Sequence, residues 1–527
     1  MKVVRNRFLR RLSLLWIFAC KAAALAKGDT AANPAESTGH SDQGVVAGNT
    51  ALPPSGDADF PMAMPSPRHD QKAKEVKEGN YDLVLVGDSI THTLDKFGGK
   101  YAPLEAVWNK YFAQHKAFNL GYSGYRTEGL LWNLRNGELD FRQSPKVFML
   151  LAGTNNLDDR HFEIIHTPEQ VLAGTRAIVD EIKKRHPASK IVILRIFPRG
   201  GDADTSVSPP DFHSSAATIA AARRAGELTR ELADDKQVFW LDLGYVFLKP
   251  DGRVDNALLW DLLHPSPAGA EAWAKAVEPT LAQLMGEPSV AAPLPASSIP
   301  VPRTDGDYDW MARHQAVLNA RSTQPANVFL GDSITHYLGG VPAPTGAFLS
   351  AHRGGAFLAA VAAAKAGPVL NAGFGGDRTE HLLWRLDHGE LDGIQPKRVV
   401  LMIGINNILS GANAASTAAG VRACLLRIRA KTPEAKIALM GILPAGNPAT
   451  NPHRATVRDT NVALKSLAQE AKCDFLDIGD QFLDAEGKIP EALMNDAIHP
   501  TLAGYEIWQK ALLPLLEKDG AQAPDKQ

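Results

Sequence analysis

Short unbroken apolar runs recur along this chain, and between them apolar residues return every three or four positions. The runs have strand length: Leu83–Val86, Val147–Ala152, Ile191–Ile196 and Val238–Leu241, then Val328–Leu330, Val399–Ile403, Ile437–Ile442 and Phe475–Leu476. Continuous rather than alternating apolarity predicts strands buried on both faces of a parallel sheet. The intervening stretches predict helices, as in TRAIVDEIKKRH at 175–186 and in the spacing of Trp273, Val277, Leu281 and Leu284. Ser266 and Thr501 stand where they would cap the last helix of each series. Strands alternating with helices imply three-layer α/β/α domains, with ligands at the C-terminal strand ends.

The pattern occurs twice because the chain repeats itself. GDSITH appears at Gly87–His92 and at Gly331–His336, each time directly after an apolar run. RTEGLLWNLRNGELD from Arg126 and RTEHLLWRLDHGELD from Arg378 agree at eleven of fifteen positions. LLAGTNN and LMIGINN follow, then DLLHPSPAG from Asp261 and DAIHPTLAG from Asp496, in the same order. Such self-similarity means a duplicated domain. Stretches rich in Ala, Gly, Pro and Ser frame the copies. The expected layout is a signal peptide at 1–26, a disordered linker at 27–67, a first domain at 68–286, a Pro-rich linker at 287–307, a second domain at 308–517 and a disordered tail at 518–527. The prolines of 287–307 favour an extended spacer.

Composition narrows the function classes. Of 527 residues, 45% are hydrophobic and 22% charged, as in globular proteins, and the formal net charge is −2. No basic run in the body of the chain would track phosphates, so nucleic acid is not an expected partner. MKVVRNRFLRR followed by LSLLWIFACKAAALA has the form of a secretory signal, which predicts export to a periplasmic or extracellular space. A variant reading makes Cys20 a lipidated residue, and only then would a membrane be a partner. Cys424 and Cys473 offer neither a disulfide framework nor a metal-ligand spacing, so no metal and no cofactor are expected.

Several repeated residues could do chemistry. Ser89 and Ser333 sit at a strand-to-helix turn, which suits a nucleophile and equally a helix cap. His264 and His499, three residues after Asp261 and Asp496, could take a proton while the carboxylate holds the ring. The N–H of Gly124 and Gly376 and the amides of Asn155 and Asn406 are suitable donors to an oxyanion, or turn-formers. Their appearance in one order in both copies favours the chemical reading. His92 and His336 are pocket-lining or helix-surface residues. Arg126/Glu128 and Arg378/Glu380 form local ion pairs before they bind substrate, and Trp132 and Trp384 are core anchors.

GDSIT, NLGYSG and NAGFGG, GTNN and GINN, and the two DxxHP stretches resemble the four blocks of the GDSL, or SGNH, hydrolases. GGDRTEHLLWRLDHGELD, from Gly375, is similar to the catalytic subunits of type Ib platelet-activating-factor acetylhydrolases and their bacterial relatives. The resemblance implies a flavodoxin-like fold with a parallel five-stranded sheet in each copy. It also implies a cofactor-free serine esterase that removes small acyl groups such as acetyl. The family's nucleophile falls on Ser89 and Ser333, and its base on His264 and His499, oriented by Asp261 and Asp496. Its oxyanion donors fall on the serine N–H, Gly124 and Gly376, and Asn155 and Asn406. Ser123 is a decoy, since the second copy has Gly375 there, and Tyr125 departs from the pattern that Asp377 keeps.

The expected substrate is a small-molecule or carbohydrate ester, with O-acetyl groups foremost. Alternatives are a binding or scaffold protein with one or both sites inactive, and an acyltransferase using the same triad. By the same resemblance, relatives can pair as dimers, which makes the two halves candidates for an intramolecular pseudo-dimer, while the Pro-rich linker is equally compatible with two separate beads on a string. The copies also differ in length. Asn155 to Asp261 spans 106 positions against 90 from Asn406 to Asp496, and Ser89 to Gly124 spans 35 against 43 from Ser333 to Gly376. Loops of unequal length at the active rim predict unlike substrate preferences.

Overall fold

In the computed structural model, residues 58–521 are described except 60, 65, 203, 205–211, 292–293, 305–307, 341, 343–352 and 365. The signal segment, Cys20, the tether as far as residue 57 and the last six residues lie outside them. Among the described residues no helix is long and apolar enough to cross a membrane.

Two parallel five-stranded sheets account for the repeat. The first holds β1 (Leu83–Gly87), β2 (Ala117–Gly121), β3 (Val147–Leu151), β4 (Lys190–Leu194) and β5 (Val238–Leu241). The second holds β6 (Asn327–Gly331), β7 (Val369–Gly373), β8 (Arg398–Met402), β9 (Lys436–Met440) and β10 (Asp474–Leu476). The first sheet is ordered β2-β1-β3-β4-β5 and the second, read from its far edge, β7-β6-β8-β9-β10. Both are the doubly wound order that leaves a crevice at the carboxyl ends, where chain direction across the sheet reverses beside β1 and β6. The continuous apolarity has its cause here. Leu83 and Leu85 enter the core on one face of β1, with Trp273 and Val277, while Val84 and Val86 enter the other, with Leu131 and Ile178.

β2 and β7 escape the hydrophobic pattern because each carries an asparagine at its centre. Asn119 and Asn371 are buried and use both ends of their amides. They donate to Thr91 O and Thr335 O, and accept from the N–H of Gly121 and Gly373. A polar residue inside a strand is tolerated when every hydrogen bond is made. Both cap expectations hold: Ser266 Oγ accepts from Gly269 N–H and Thr501 Oγ1 from Gly504 N–H. The final helix, Leu502–Ala521, runs past residue 517.

The Pro-rich segment is not a bare spacer. Ser297 is buried, its hydroxyl donates to Ser416 O, and its carbonyl accepts from Thr379 Oγ1 at 2.7 Å. Charged residues of the two domains also meet. Lys431 Nζ lies 2.6 Å from Asp392 and 4.0 Å from Asp242, which holds Arg195 at 2.6 Å. Burial works against the Asp242 carboxylate, but Arg195 and Lys431 outweigh it and bring its pKa to about 2. Arg427 lies 4.0 Å over the Tyr245 ring, and Lys472 pairs with Asp251 at 2.9 Å.

Candidate active site

Each site is assembled from four loops at the carboxyl ends of the strands. β1 ends at Gly87, where a Cβ would overlap Thr91 and the Leu151 carbonyl, so the chain can turn sharply into the helix Ser89–Thr93. Asp88 caps that helix, its Oδ1 accepting from Ile90 N–H at 2.9 Å, and Ser89 becomes the first helical residue. Asp332 and Ser333 repeat the arrangement, with 3.0 Å to Ile334 N–H. Burial lifts the two capping carboxyls, Asp88 to about 6 and Asp332 to about 7.

Because Asp332 is raised above the value near 3.9 of an unfolded chain, its ionisation costs native stability progressively from about pH 4 to about pH 7. Asp332→Asn keeps an acceptor for Ile334 and cannot ionise. Its melting temperature is therefore expected to match the parent near pH 4, to exceed it increasingly up to about pH 7 and to keep that lead unchanged above it. A difference that does not change with pH would contradict this assignment.

The late DxxH loops bring base and nucleophile together. Ser89 Oγ lies 2.8 Å from His264 Nε2, and His264 Nδ1 lies 2.7 Å from Asp261 Oδ2. In the second domain the distances are 2.8 Å for Ser333 Oγ to His499 Nε2 and 2.6 Å for His499 Nδ1 to Asp496 Oδ2. The other oxygen of each aspartate accepts the backbone N–H of its own histidine, at 2.6 and 2.7 Å. One carboxylate therefore fixes both the main chain and the ring of the histidine. That requires a kink, and the residue after each aspartate is left-handed: Leu262 at φ 68° and Ala497 at φ 59°. Burial raises both aspartates, but hydrogen bonds and the charge of the histidine outweigh it and hold them below the ordinary carboxylate range.

The glycine and asparagine loops complete each cleft. Gly124 and Gly376 have φ of 77° and 79°, a conformation that favours glycine. Asn155 donates one amide N–H to Tyr125 O at 2.8 Å, and Asn406 donates to Asp377 O at 2.9 Å. These bonds tie each asparagine to the backbone just beyond its glycine, so the two donor loops keep a common geometry.

Several contributors are not apparent from sequence spacing. His92 Nδ1 accepts from Ser123 N–H at 3.2 Å, and His336 Nδ1 accepts from Gly375 N–H at 3.1 Å. These histidines position the residue before each glycine. Burial first, then nearby cations, brings His92 to about 3, so it stays neutral and remains an acceptor. Asn156 and Asn407, the second asparagines of GTNN and GINN, accept from Thr127 and Thr379 N–H and donate to Glu128 and Glu380. The doubled asparagine in both copies was the available signal. Glu128 and Glu380 pair locally with Arg126 at 3.0 Å and with Arg378 at 2.5 Å. An aromatic ring stands edge-on to each histidine: Phe212 at 4.8 Å from His264 and Tyr337 at 5.2 Å from His499. Phe212 comes from the longer loop of the first domain, whereas Tyr337 lies on the helix that Ser333 begins.

Tyr125 does not face the cleft. Its hydroxyl donates to Met64 O, and its ring lies 4.7 Å from Tyr122, which hydrogen-bonds Glu138. The second domain has Asp377, Phe374 and Glu390 at the matching positions, and the buried Arg385 joins Asp377 to Glu390. The departure is thus a compensated exchange beneath the site. Among the described residues no cluster of His, Cys, Asp and Glu could hold a metal ion.

A sequence profile of the GDSL-like Lipase/Acylhydrolase family matches residues 85–272 and again 329–507, more than half of the chain. The chain belongs to this family. A stretch of 225 residues, 42% of this chain, is 33% identical to Platelet-activating factor acetylhydrolase IB subunit alpha1 of Homo sapiens and covers 89% of that protein. A GDSL-like lipase of Bacteroides thetaiotaomicron shares 20% identity at a TM-score of 0.32, covering 39% of this chain and 98% of its own. An acetylxylan esterase of Geobacillus stearothermophilus shares 24% at a TM-score of 0.30, covering 37% and 94%. Membership makes this GDSL protein an acylhydrolase, a class that acts on esters, and the two matched stretches coincide with the two sheets.

Proposed function

We propose that the protein is an exported tandem serine esterase, each domain hydrolysing small acyl esters, acetyl esters foremost, through its own Ser-His-Asp triad. The observation that carries this reading is the unbroken chain of contacts from serine to histidine to aspartate, with the same atoms at nearly the same distances in both domains. The preference for acetyl rests on the name of the human relative, an acetylhydrolase. Export rests on the N-terminal pattern. The charge network around Lys431 supports treating the halves as a docked pair.

In the first half-reaction the serine Oγ bonds to the acyl carbon while its proton passes to histidine Nε2. The carbonyl oxygen gains charge and meets the serine N–H, the Gly124 or Gly376 N–H and the Asn155 or Asn406 amide. Collapse expels the alcohol, which takes the proton from the histidine, and water repeats the sequence to release the acid. The aspartate stays ionised and stabilises the imidazolium, in keeping with its lowered pKa.

Incubation with a fluorophosphonate, read by intact mass, tests this directly. The expected result is two adducts on the parent chain, one each on Ser89→Ala and Ser333→Ala, and none on the double variant. Absence of labelling on the parent would favour a binding protein instead.

A further inference from the structure

The Asp-x-x-His turn of the triad occurs a second time in the first domain. Asp158 Oδ1 accepts the backbone N–H of His161 at 3.2 Å, and Asp158 Oδ2 lies 3.0 Å from His161 Nδ1. Asp261 holds His264 through the same two contacts. The ring of Phe212 joins the two pairs. It stacks on His161 at 5.1 Å and stands edge-on to His264 at 4.8 Å, and His264 in turn reaches Ser89 at 2.8 Å. A second oriented imidazole therefore lies two ring contacts from the triad base.

The loop that carries His161 is firmly braced. Arg199 Nη2 donates to Asp158 Oδ2 at 2.7 Å, and Arg199 Nη1 donates to Thr154 Oγ1 at 3.0 Å. Arg160 pairs with Asp202 at 2.7 Å, and Ser215 Oγ donates to Asp159 Oδ2 at 2.5 Å. Burial works against the Asp158 carboxylate, but Arg199 outweighs it and holds Asp158 below the ordinary carboxylate range. An ionised Asp158 keeps the proton on Nδ1, so the neutral ring presents Nε2 as an acceptor. The His161 side chain is 32% exposed, so a ligand can reach it.

The second domain lacks each of these parts. Its loop runs seven positions from Asn406 to the helix cap Asn413, against twelve from Asn155 to the cap Thr167, and it holds no histidine. Leu409, three residues after Asn406, stands where Asp158 follows Asn155, and it is exposed. Ala445 replaces Arg199. The match is fixed by the next residue, since Gly446 N–H donates to Ala497 O as Gly200 N–H donates to Leu262 O.

His264 returns its proton to the leaving alcohol, so the alcohol half of an ester lies against the residues packed on His264. A nitrogen that accepts there matches a ligand group that donates. In an alcohol half, that group is a further hydroxyl.

We infer that His161 is a specificity-determining residue of the first site, its Nε2 accepting a hydroxyl from the alcohol half of the substrate, so that this site takes esters of polyols and sugars while the second takes esters of simple alcohols. This rests on the esterase reading above and deepens it. It assigns the unlike preferences of the two domains to a named residue.

The test uses the full chain with one nucleophile removed at a time, and compares glycerol monoacetate with propyl acetate by acid release in a pH-stat. The kcat/KM ratio of hydroxylated to plain ester is expected to be about tenfold higher in Ser333→Ala, where the first site works, than in Ser89→Ala. Adding His161→Leu to Ser333→Ala should bring the ratio down to that of Ser89→Ala, through the KM for glycerol monoacetate. His161→Gln, which keeps an acceptor, should retain part of the preference, and a thermal melt checks the folding of each chain. Equal ratios in the two single-serine chains, or losses in His161→Leu that fall on both esters alike, would overturn the role. If Ser333→Ala cuts neither ester, the esterase reading of the first domain is what has failed. His161 is then judged by saturation-transfer NMR of glycerol monoacetate with the Ser89→Ala/Ser333→Ala chain. Transfer to the ligand that His161→Leu abolishes is expected. No transfer, or transfer unchanged by that substitution, would refute the role.

Discussion

Ser89→Ala combined with Ser333→Ala should abolish turnover of 4-nitrophenyl acetate, lowering kcat by about 10⁶-fold, the scale on which loss of a triad nucleophile acts. Each single variant should retain the activity of the other domain, so the two single rates should sum to the parent's. A finer test follows within the Ser89→Ala chain. Asn406→Ala removes one oxyanion donor and should cost the remaining site about 10²–10³ in kcat, or about 3–4 kcal/mol. Because Asn406 is held to Asp377 O, its loss should leave KM nearly unchanged while kcat falls. Initial rates on purified chains decide this. A double variant that still turns over ester well above the uncatalysed rate would remove both serines from the mechanism.

The second large effect concerns stability. Arg385 has no exposed side-chain surface and pairs with Asp377 at 2.9 Å and with Glu390. Burial lifts Asp377 to about 6 even with the arginine present. Arg385→Asn, which installs the first domain's residue, should therefore strand two buried carboxylates and destabilise the second domain by about 3–5 kcal/mol. That corresponds to a melting temperature lower by on the order of 10 °C. Adding Phe374→Tyr and Asp377→Tyr completes the set that the first domain uses around Glu138, and it should recover much of the loss. Differential scanning calorimetry reads both chains. A loss below about 1 kcal/mol for Arg385→Asn would show that the pairing contributes little.

Much of this architecture is legible in the residues. Eight of the ten strands stand out because burial on both faces demands unbroken apolar runs, and all ten triad and oxyanion candidates lie on motifs that occur twice in the same order. β2 and β7 do not stand out, because Asn119 and Asn371 interrupt their apolarity, and the hydrogen bonds that excuse those residues come from loops far along the chain. On sequence alone His92 and His336 fit a pocket lining as well as a helix surface, until β2 and β7 bring the glycine loops over them. Phe212 carries no motif. Its place beside His264 depends on a loop that differs between the copies, and a pattern shared by both halves cannot report what only one of them has.

Ser297 O accepts from Thr379 Oγ1 just as Ala58 O accepts from Thr127 Oγ1, and these bonds stand the same distance ahead of Val301 and Met62, whose N–H groups donate to Glu380 O and Glu128 O. The unit that was copied therefore starts at these leading segments, well before the first long helix of each half. A protease or a truncation that severs the chain near residue 290 would part the two halves along this seam. One that severs it at residue 308 would take from the second half the Ser297 acceptor and Arg303, whose guanidinium lies against Gly376.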